Sequence, residues 1–421
     1  MFQGLKSKRQ LALFVSLVLS SGGGCCFLDS PHAYAADVTG GDVVVDAGHP
    51  VPPTPVVAGN AHDIPTATDN RNVVGNKVTI DGVDFDGAVY GPIYGGYTLG
   101  TGSSTNNEML LKGGTTQLTA YTTTSYGGWS EQGNATNNTI TLNNVTYATF
   151  LHVYGGGSSN TGADVKTGNK LRIVNSKDNW AGTINNFEKM EFELGSKVAS
   201  GDTMLNVTTY NSLQTFDWSN IKVTNAASWL TGATNSKQVV LYAGPSMTLN
   251  NYAVSPTVNG DYEYGLRSNT LTPTASTVSA DKIFFEGNKF QNSNVTYDVH
   301  NPVTTNTTYA GRSTLGNTTK NNKLTIDGVD FYGTLYGGYT ESPIGDSTNN
   351  EVFLKGGTTQ ITGTMATIYG GWSEQGNATN NTVTFNNVTY TTFLHAHGGG
   401  SSNTGADVKT GNKLRIVNSK D

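Results

Sequence analysis

The chain has 421 residues, a net charge of −6 and only 13% charged residues. Its 52 glycines, together with many Asn, Ser and Thr, exclude an all-α fold and a coiled coil, because Gly, Asn and Thr disfavour the helix interior. With 36% hydrophobic and 10% aromatic residues, full disorder is not expected either. No basic stripe is present, so nucleic acid is not an expected partner. The abundance of Tyr and Thr favours a β-rich protein.

Residues 1–35 have the pattern of a secretory signal peptide. Lys6, Lys8 and Arg9 precede a short apolar run from Leu11 to Leu19, and a small-residue A-x-A pattern predicts cleavage after Ala35. The apolar run is too short to span a bilayer, which takes roughly 20 residues. The sequence therefore predicts export of the mature chain.

Both cysteines, Cys25 and Cys26, lie inside this segment. If cleavage follows Ala35, the mature chain has no disulfide, no catalytic thiol and no cysteine metal ligand. The alternative is a lipoprotein anchor at Cys25. No later segment is a continuous apolar run long enough for a transmembrane helix, so none is predicted.

The chain is organised around an internal duplication. A Pro-rich leader at 36–75 precedes a first repeat copy at 76–178, which recurs as a truncated second copy at 322–421. The two copies share an identical segment, Gly155–Asp178 and Gly398–Asp421. Residues 179–321 between them are predicted to form a less regular, β-rich segment. Because the second copy stops where the first continues, the sequence predicts a fragment or a truncated gene.

Shorter periods lie inside each copy. Tyr-Gly-Gly recurs at spacings of 32 and 28 residues in the first copy, at Tyr94, Tyr126 and Tyr154. Each unit also has a segment such as Val78–Ile80 in which apolar and polar residues alternate, a period typical of strands with one buried face. Asn-Asn and Gly-Gly pairs separate the strands and accept the positive φ of tight corners. Such strands can build a sandwich or a solenoid, and the recurring unit of 28 to 33 residues favours a solenoid with one rung per unit.

Three segments resemble the passenger repeats of autotransporter adhesins. The first is Asn76–Gly82, which has the form N-x-V-T-I-x-G. The second is Tyr126–Asn138, which begins Y-G-G-W-S-E-Q-G. The third is Gly182–Met190 together with the later segment Gly201–Leu205. The resemblance implies an elongated right-handed parallel β-helix, export through the outer membrane and display at the cell surface. It also implies a C-terminal β-barrel translocator, and no segment of this sequence corresponds to one.

Enzymatic chemistry finds little support in the motifs. The sequence Gly345-Asp346-Ser347-Thr348 is similar to the G-D-S-G of passenger proteases, but it lacks the last glycine and the first copy lacks the acid. His152 and its counterpart in the second copy have no second ligand at metal-binding spacing. We therefore expect no catalytic residue, no metal and no cofactor.

Aromatic residues give the strongest functional signal. Eight of them recur at rung spacing and are predicted to form a ladder, which is either structural or a surface stripe that binds sugar rings or partner proteins. These candidate ligand-contact residues are Tyr94, Tyr97, Tyr126, Trp129, Tyr336, Tyr339, Tyr369 and Trp372. The sequence thus predicts a non-enzymatic passenger domain at the cell surface, in the outer membrane or outside the cell, acting in adhesion to host glycans or surface proteins. The alternatives are a β-helical polysaccharide-processing enzyme and a purely structural surface spacer.

Overall fold

The structure is a computed structural model, which describes residues 42–45, 56–57, 71–82, 92–113, 124–208, 215–230, 237–269, 276–331, 333–341, 345–356, 366–389 and 394–420. All of them belong to one compact unit, residues 37–421. Strands hold 59% of the described residues and helices only 3%. The predicted signal peptide lies outside the described residues.

Parallel strands of three sheets form a first solenoid block. The first sheet contains β1 (Val43–Val45), β4 (Lys77–Asp81), β8 (Glu108–Lys112), β11 (Thr139–Asn143), β13 (Lys170–Val174), β15 (Lys189–Glu193) and β18 (Ile221–Thr224). The second contains β3 (Val73–Val74), β7 (Ser104–Thr105) and β10 (Ala135–Thr136). The third contains β2 (Val56–Val57), β5 (Ile93–Tyr94), β6 (Tyr97–Thr98), β9 (Thr124–Ser130), β12 (Thr149–Ser158), β14 (Asn179–Asn185), β16 (Thr203–Val207), β17 (Thr215–Asp217) and β19 (Lys237–Asn250).

Antiparallel pairing interrupts the solenoid after β19. This strand pairs with β22 (Thr277–Lys289), which pairs in turn with β21 (Tyr262–Ser268), and β21 pairs with β20 (Thr257–Asn259). We call β19 to β22 the antiparallel block. Helical residues in the described part of the chain form a short helix α1 (Ala226–Leu230) and a 3₁₀ turn (Trp218–Asn220). No helix among the described segments has the length and hydropathy needed to cross a membrane.

A second solenoid block follows. Its first sheet contains β23 (Asn294–Tyr297), β26 (Lys323–Asp327), β29 (Glu351–Lys355), β32 (Thr382–Asn386) and β34 (Lys413–Val417). Its second sheet contains β24 (Thr307–Ser313), β27 (Thr334–Thr340), β30 (Ala366–Ser373) and β33 (Leu394–Ser401). Its third sheet contains β25 (Thr319–Lys320), β28 (Ser347–Thr348) and β31 (Ala378–Thr379). Every strand pair inside these sheets is parallel.

Inward-facing side chains stack from rung to rung because the strands align in parallel register. In the first block one buried column contains Val78, Met109, Ile140, Leu171 and Met190. In the second block a separate core contains a similar column of Leu324, Val352 and Val383. Most outward residues of the same strands are polar or charged, as in the ion pair of Lys77 with Glu108 at 2.7 Å, although Leu110 and Phe353 are apolar. Period-two alternation thus gives each sheet one dry face and one wet face.

These observations confirm the predicted fold class, an all-β solenoid, with about nine turns in all. The corner prediction is confirmed for the Asn-Asn pairs, because Asn106, Asn137 and Asn380 all have φ between 56° and 57°. It is wrong for the Gly-Gly pairs, since Gly127-Gly128 and Gly370-Gly371 lie inside strands β9 and β30 without positive φ. Two details refine the domain boundaries. Strand β1, within the predicted leader, pairs in parallel with β4. Strands β14 to β18, within the less regular segment, continue the first block.

Candidate functional site

The aromatic residues of the first copy lie on the outer face of its third sheet. Tyr94, Tyr126 and Tyr154 are half-buried, while their neighbours in sequence Ile93 and Val153 point into the core. Parallel register places the three tyrosines on adjacent strands. We call Tyr94, Tyr97, Tyr126, Trp129 and Tyr154 the first stripe.

The rings of the first stripe form two contacting rows. Tyr94 stacks on Tyr126 with centroids 5.1 Å apart and an interplanar angle of 7°, and Tyr126 stacks on Tyr154 at 4.9 Å and 12°. In the second row, Trp129 meets Tyr126 edge to face at 4.9 Å, and Tyr97 meets Tyr94 in the same way at 5.1 Å. Offset and edge-to-face contacts of this kind each contribute about 0.5–1.5 kcal/mol beyond burial.

A carboxylate fixes the second row. Glu131 Oε1 accepts a hydrogen bond from the Tyr97 hydroxyl at 3.1 Å and from Trp129 Nε1 at 3.1 Å, and its Oε2 accepts one from Ser159 Oγ at 2.5 Å. Burial raises the pKa of Tyr97 to about 12, and the charge of Glu131 adds to that shift. The phenol therefore stays a protonated donor at neutral pH. A fixed acceptor and two fixed donors give this surface a defined shape.

The second copy repeats the arrangement. Tyr336 stacks on Tyr369 at 5.4 Å and 9°, and Trp372 meets Tyr369 edge to face at 4.7 Å. Glu374 accepts from the Tyr339 hydroxyl at 2.9 Å and from Trp372 Nε1 at 3.1 Å. We call Tyr336, Tyr339, Tyr369, Trp372 and His397 the second stripe. All eight predicted aromatics therefore lie in one of two outward stripes, and ring contacts connect the four members of each set.

The stripes end differently. Tyr154 is the third stacked ring of the first stripe, whereas His397 stands in its place and stacks on Tyr369 at 4.8 Å and 15°. Burial, with the nearby His395, lowers the pKa of His397 below its usual value. The second stripe thus ends in a group that changes charge in weakly acidic solution, where a phenol does not.

The two glycines of each Tyr-Gly-Gly unit are needed for close packing. A Cβ on Gly127 would lie 2.6 Å from the carbonyl oxygen of Gly155 in the next rung. A Cβ on Gly128 would lie 2.7 Å from Cγ of the buried Asn138. Real Cβ atoms do not approach this closely, so Tyr-Gly-Gly combines one outward ring with two sites that accept only hydrogen.

A buried ladder of asparagines, which the sequence did not predict, lies beside the stripes. Asn107 donates its backbone N–H to Asn138 Oδ1 at 3.0 Å and its side-chain amide to the same oxygen at 3.1 Å. Asn138 donates its backbone N–H to Asn169 Oδ1 at 2.8 Å, and Asn350 and Asn381 repeat the pattern in the second copy. The signal was available, because each buried asparagine directly follows the Asn or Gly of positive φ at 31-residue spacing. These asparagines satisfy backbone groups at the corners, which is a structural role.

A second feature that the sequence did not reveal lies at the junction of the antiparallel block with the second block. Thr314 donates its backbone N–H to Glu263 at 2.9 Å and its hydroxyl to Glu286. Both carboxylates are buried, and burial raises the pKa of Glu263. Arg267 Nε donates to Glu286 at 2.6 Å, and Asn288 Nδ2 donates to Glu263 at 3.1 Å. Residues far apart in sequence supply this acidic cluster, so no local motif marks it.

The other motifs have structural surroundings. Ser347 is fully buried, and its hydroxyl donates to the Gly338 carbonyl at 3.1 Å, inside the solenoid. His152 Nδ1 forms a hydrogen bond with Thr183 Oγ1 at 2.7 Å. Within the described ranges, no three His, Cys, Asp or Glu side chains are arranged to hold a metal ion.

Comparison with known proteins gives no further guide to the chemistry. No protein family matches the chain, and no curated protein or solved structure is significantly similar to it.

Proposed function

We propose that the chain is an exported, non-enzymatic passenger-type protein displayed at the bacterial surface or released from it, and that it acts as an adhesin. The two aromatic stripes are its contact surface, and host glycans are their ligand class. The resemblance of the repeats to autotransporter passengers supports export through the outer membrane.

The observation that carries this proposal is the outward position of the stripes. A ring needed only for stability is best placed in the core, whereas these rings lie half-exposed on the outer face and are held by Glu131 and Glu374. Tyr and Trp combine an apolar body with a polar tip, which suits binding at a wet interface. Successive rings follow the strand spacing of about 4.8 Å, so each stripe offers a row of contacts to an extended ligand.

A glycan array followed by calorimetry tests the proposal. The full chain is expected to bind a subset of glycans, and Trp129→Ala combined with Trp372→Ala should weaken binding at least about tenfold, since a truncated aromatic anchor costs 2 kcal/mol or more. Trp180→Ala is the matched control, because Trp180 is an exposed tryptophan outside both stripes. Equal binding by the double variant, or binding of no glycan by a correctly folded chain, would contradict the proposal and favour a structural spacer.

A polysaccharide-processing enzyme is the second candidate, and the acidic cluster of Glu263 and Glu286 favours it. General acid–base catalysis requires both groups to reach the scissile bond. Glu263 is fully buried, and Glu286 is already bound by Arg267 and by Gln238 Nε2 at 2.8 Å. The adhesin proposal therefore stands first. Release of reducing ends from acidic or neutral polysaccharides, abolished by Glu286→Gln, would reverse this order.

A further inference from the structure

A polar cleft of about 310 Å³ lies where the antiparallel block meets the second block. This volume is at the lower end of the range of about 300–1,000 Å³ typical of small-molecule sites. Most of the residues that line it carry hydroxyl, amide, phenol or charged groups, and Ala310 is the one aliphatic residue in the described part of the lining. The residues that matter here are Gln238, Glu286, Lys289, Tyr297, Tyr309 and Arg312.

The cleft has an excess of positive charge. Glu286 is the one carboxylate among the described residues that line it, and Arg267 neutralises Glu286 at 2.6 Å. Lys289 is half-buried and forms no ion pair with any residue that the structure describes; it lies 5.9 Å from the centroid of the Tyr262 ring. Arg312 donates through Nη2 to Glu341 at 2.5 Å, and its buried Nε has no hydrogen-bond partner within the described ranges. The Lys289 ammonium and the remaining donors of Arg312 are best satisfied by an anionic ligand.

The cleft is continuous with the second stripe. Tyr309 lines the cleft and is paired in register with Tyr336 on the neighbouring strand. Its ring stacks on Tyr339 with centroids 5.9 Å apart and an angle of 18°. A ligand that follows the second stripe would therefore reach the cleft at the end opposite His397.

We infer that the cleft is a subsite of the second stripe for a sugar residue that carries a carboxylate, such as a hexuronic acid. This inference rests on the proposed glycan-binding function. The hydroxyl and amide groups of the walls match sugar hydroxyls, Tyr297 and Tyr309 offer ring faces or edges, and Lys289 and Arg312 supply charge-assisted donors for the carboxylate.

The test compares galacturonate with galactose, which differ only in carboxylate against hydroxymethyl, by calorimetry on the full chain. Galacturonate should bind more tightly than galactose. Lys289→Met should weaken galacturonate binding about tenfold, because it removes a charge-assisted hydrogen-bond donor. Lys289→Arg should retain binding. Lys320→Met, an exposed lysine outside the cleft, is the matched control. Trp372→Ala should weaken the binding of an acidic trisaccharide but leave the affinity for galacturonate unchanged.

The outcomes separate this inference from the function on which it rests. Equal affinity for galacturonate and galactose, or no effect of Lys289→Met, would overturn the acidic subsite while leaving glycan binding by the stripes intact. Acetate binding as tightly as galacturonate would show a plain anion site and would overturn the sugar assignment. If neither the monosaccharides nor the array glycans bind, both proposals fail together.

Discussion

The identical segment of the two repeat copies occupies two different surroundings. In the first copy β13 lies between β11 and β15, so that Leu171 faces Met190 in the next rung. In the second copy β34 is paired with β32 and is the last strand of its sheet among those described. The exposed fraction of the leucine is 2% at Leu171 and 55% at Leu414.

Local conformation is nevertheless the same in both surroundings. The strands Lys170–Val174 and Lys413–Val417 have corresponding bounds, and the corner before each has a glycine of positive φ, Gly168 at 71° and Gly411 at 68°. Sequence therefore determines the strand and its corner, whereas burial depends on the neighbouring rung. This is the behaviour of a solenoid, in which stability is close to a sum of rung and interface contributions.

The strongest test of this difference between the copies is to replace the corresponding leucine by alanine in each of them. Leu171→Ala should destabilise the first block by about 2–5 kcal/mol, because it removes a fully packed side chain and leaves a cavity. Leu414→Ala should change stability by no more than about 0.5 kcal/mol, as at other exposed positions. Hydrogen exchange measured by mass spectrometry would report the opening free energy of β13 and β34 separately.

Each leucine variant serves as the control for the other, since the flanking sequence is identical. Loss of protection in Leu171→Ala should stay within the first block. An equal loss of protection in both blocks would mean that the chain unfolds as one cooperative unit, contrary to the solenoid behaviour.

Interior rungs should respond alike in the two copies. Asn138 and Asn381 are both fully buried ladder residues with neighbours on either side. Replacing either by Ala removes the acceptor of two buried donors. Each substitution should therefore lower the free energy of unfolding of its own block by about 1–3 kcal/mol. Exposed Asn160→Ala is the control. If the two losses of unfolding free energy differ by more than about 1 kcal/mol, the copies differ in more than their end rungs.

Much of this architecture could be predicted from sequence, because each rung repeats a local pattern. Period-two alternation at Val78 and Ile80 located an inward face, and Asn-Asn pairs located corners where positive φ is needed. The eight aromatics could be assigned to a ladder by spacing alone. Their outward direction could not be chosen in advance, since a ring inside the solenoid would show the same spacing.

The junction could not be predicted for a different physical reason. Glu263 and Glu286 are brought together by antiparallel strand pairing, and Thr314 reaches them from the second block. Neither of these contacts produces a repeating pattern in the sequence. Lys289 and Arg312 line one cleft although a strand and two corners separate them. Sites formed by non-repeating contacts need the fold itself before their residues can be grouped.

The smallest expected effect concerns the third ring of each stripe. His397 has a pKa below its usual value in the folded chain, chiefly because of burial. The unfolded chain therefore binds more protons between about pH 6.5 and the lower folded pKa, and the stability of the second block should fall as pH falls through that window.

Urea unfolding at about pH 7.5 and about pH 5 should show a larger drop in the midpoint for the wild type than for His397→Tyr, because a phenol does not titrate there. The reciprocal change Tyr154→His should introduce the same acid sensitivity into the first block. An unchanged pH dependence in both variants would show that His397 contributes no proton linkage and that the two stripe ends are equivalent.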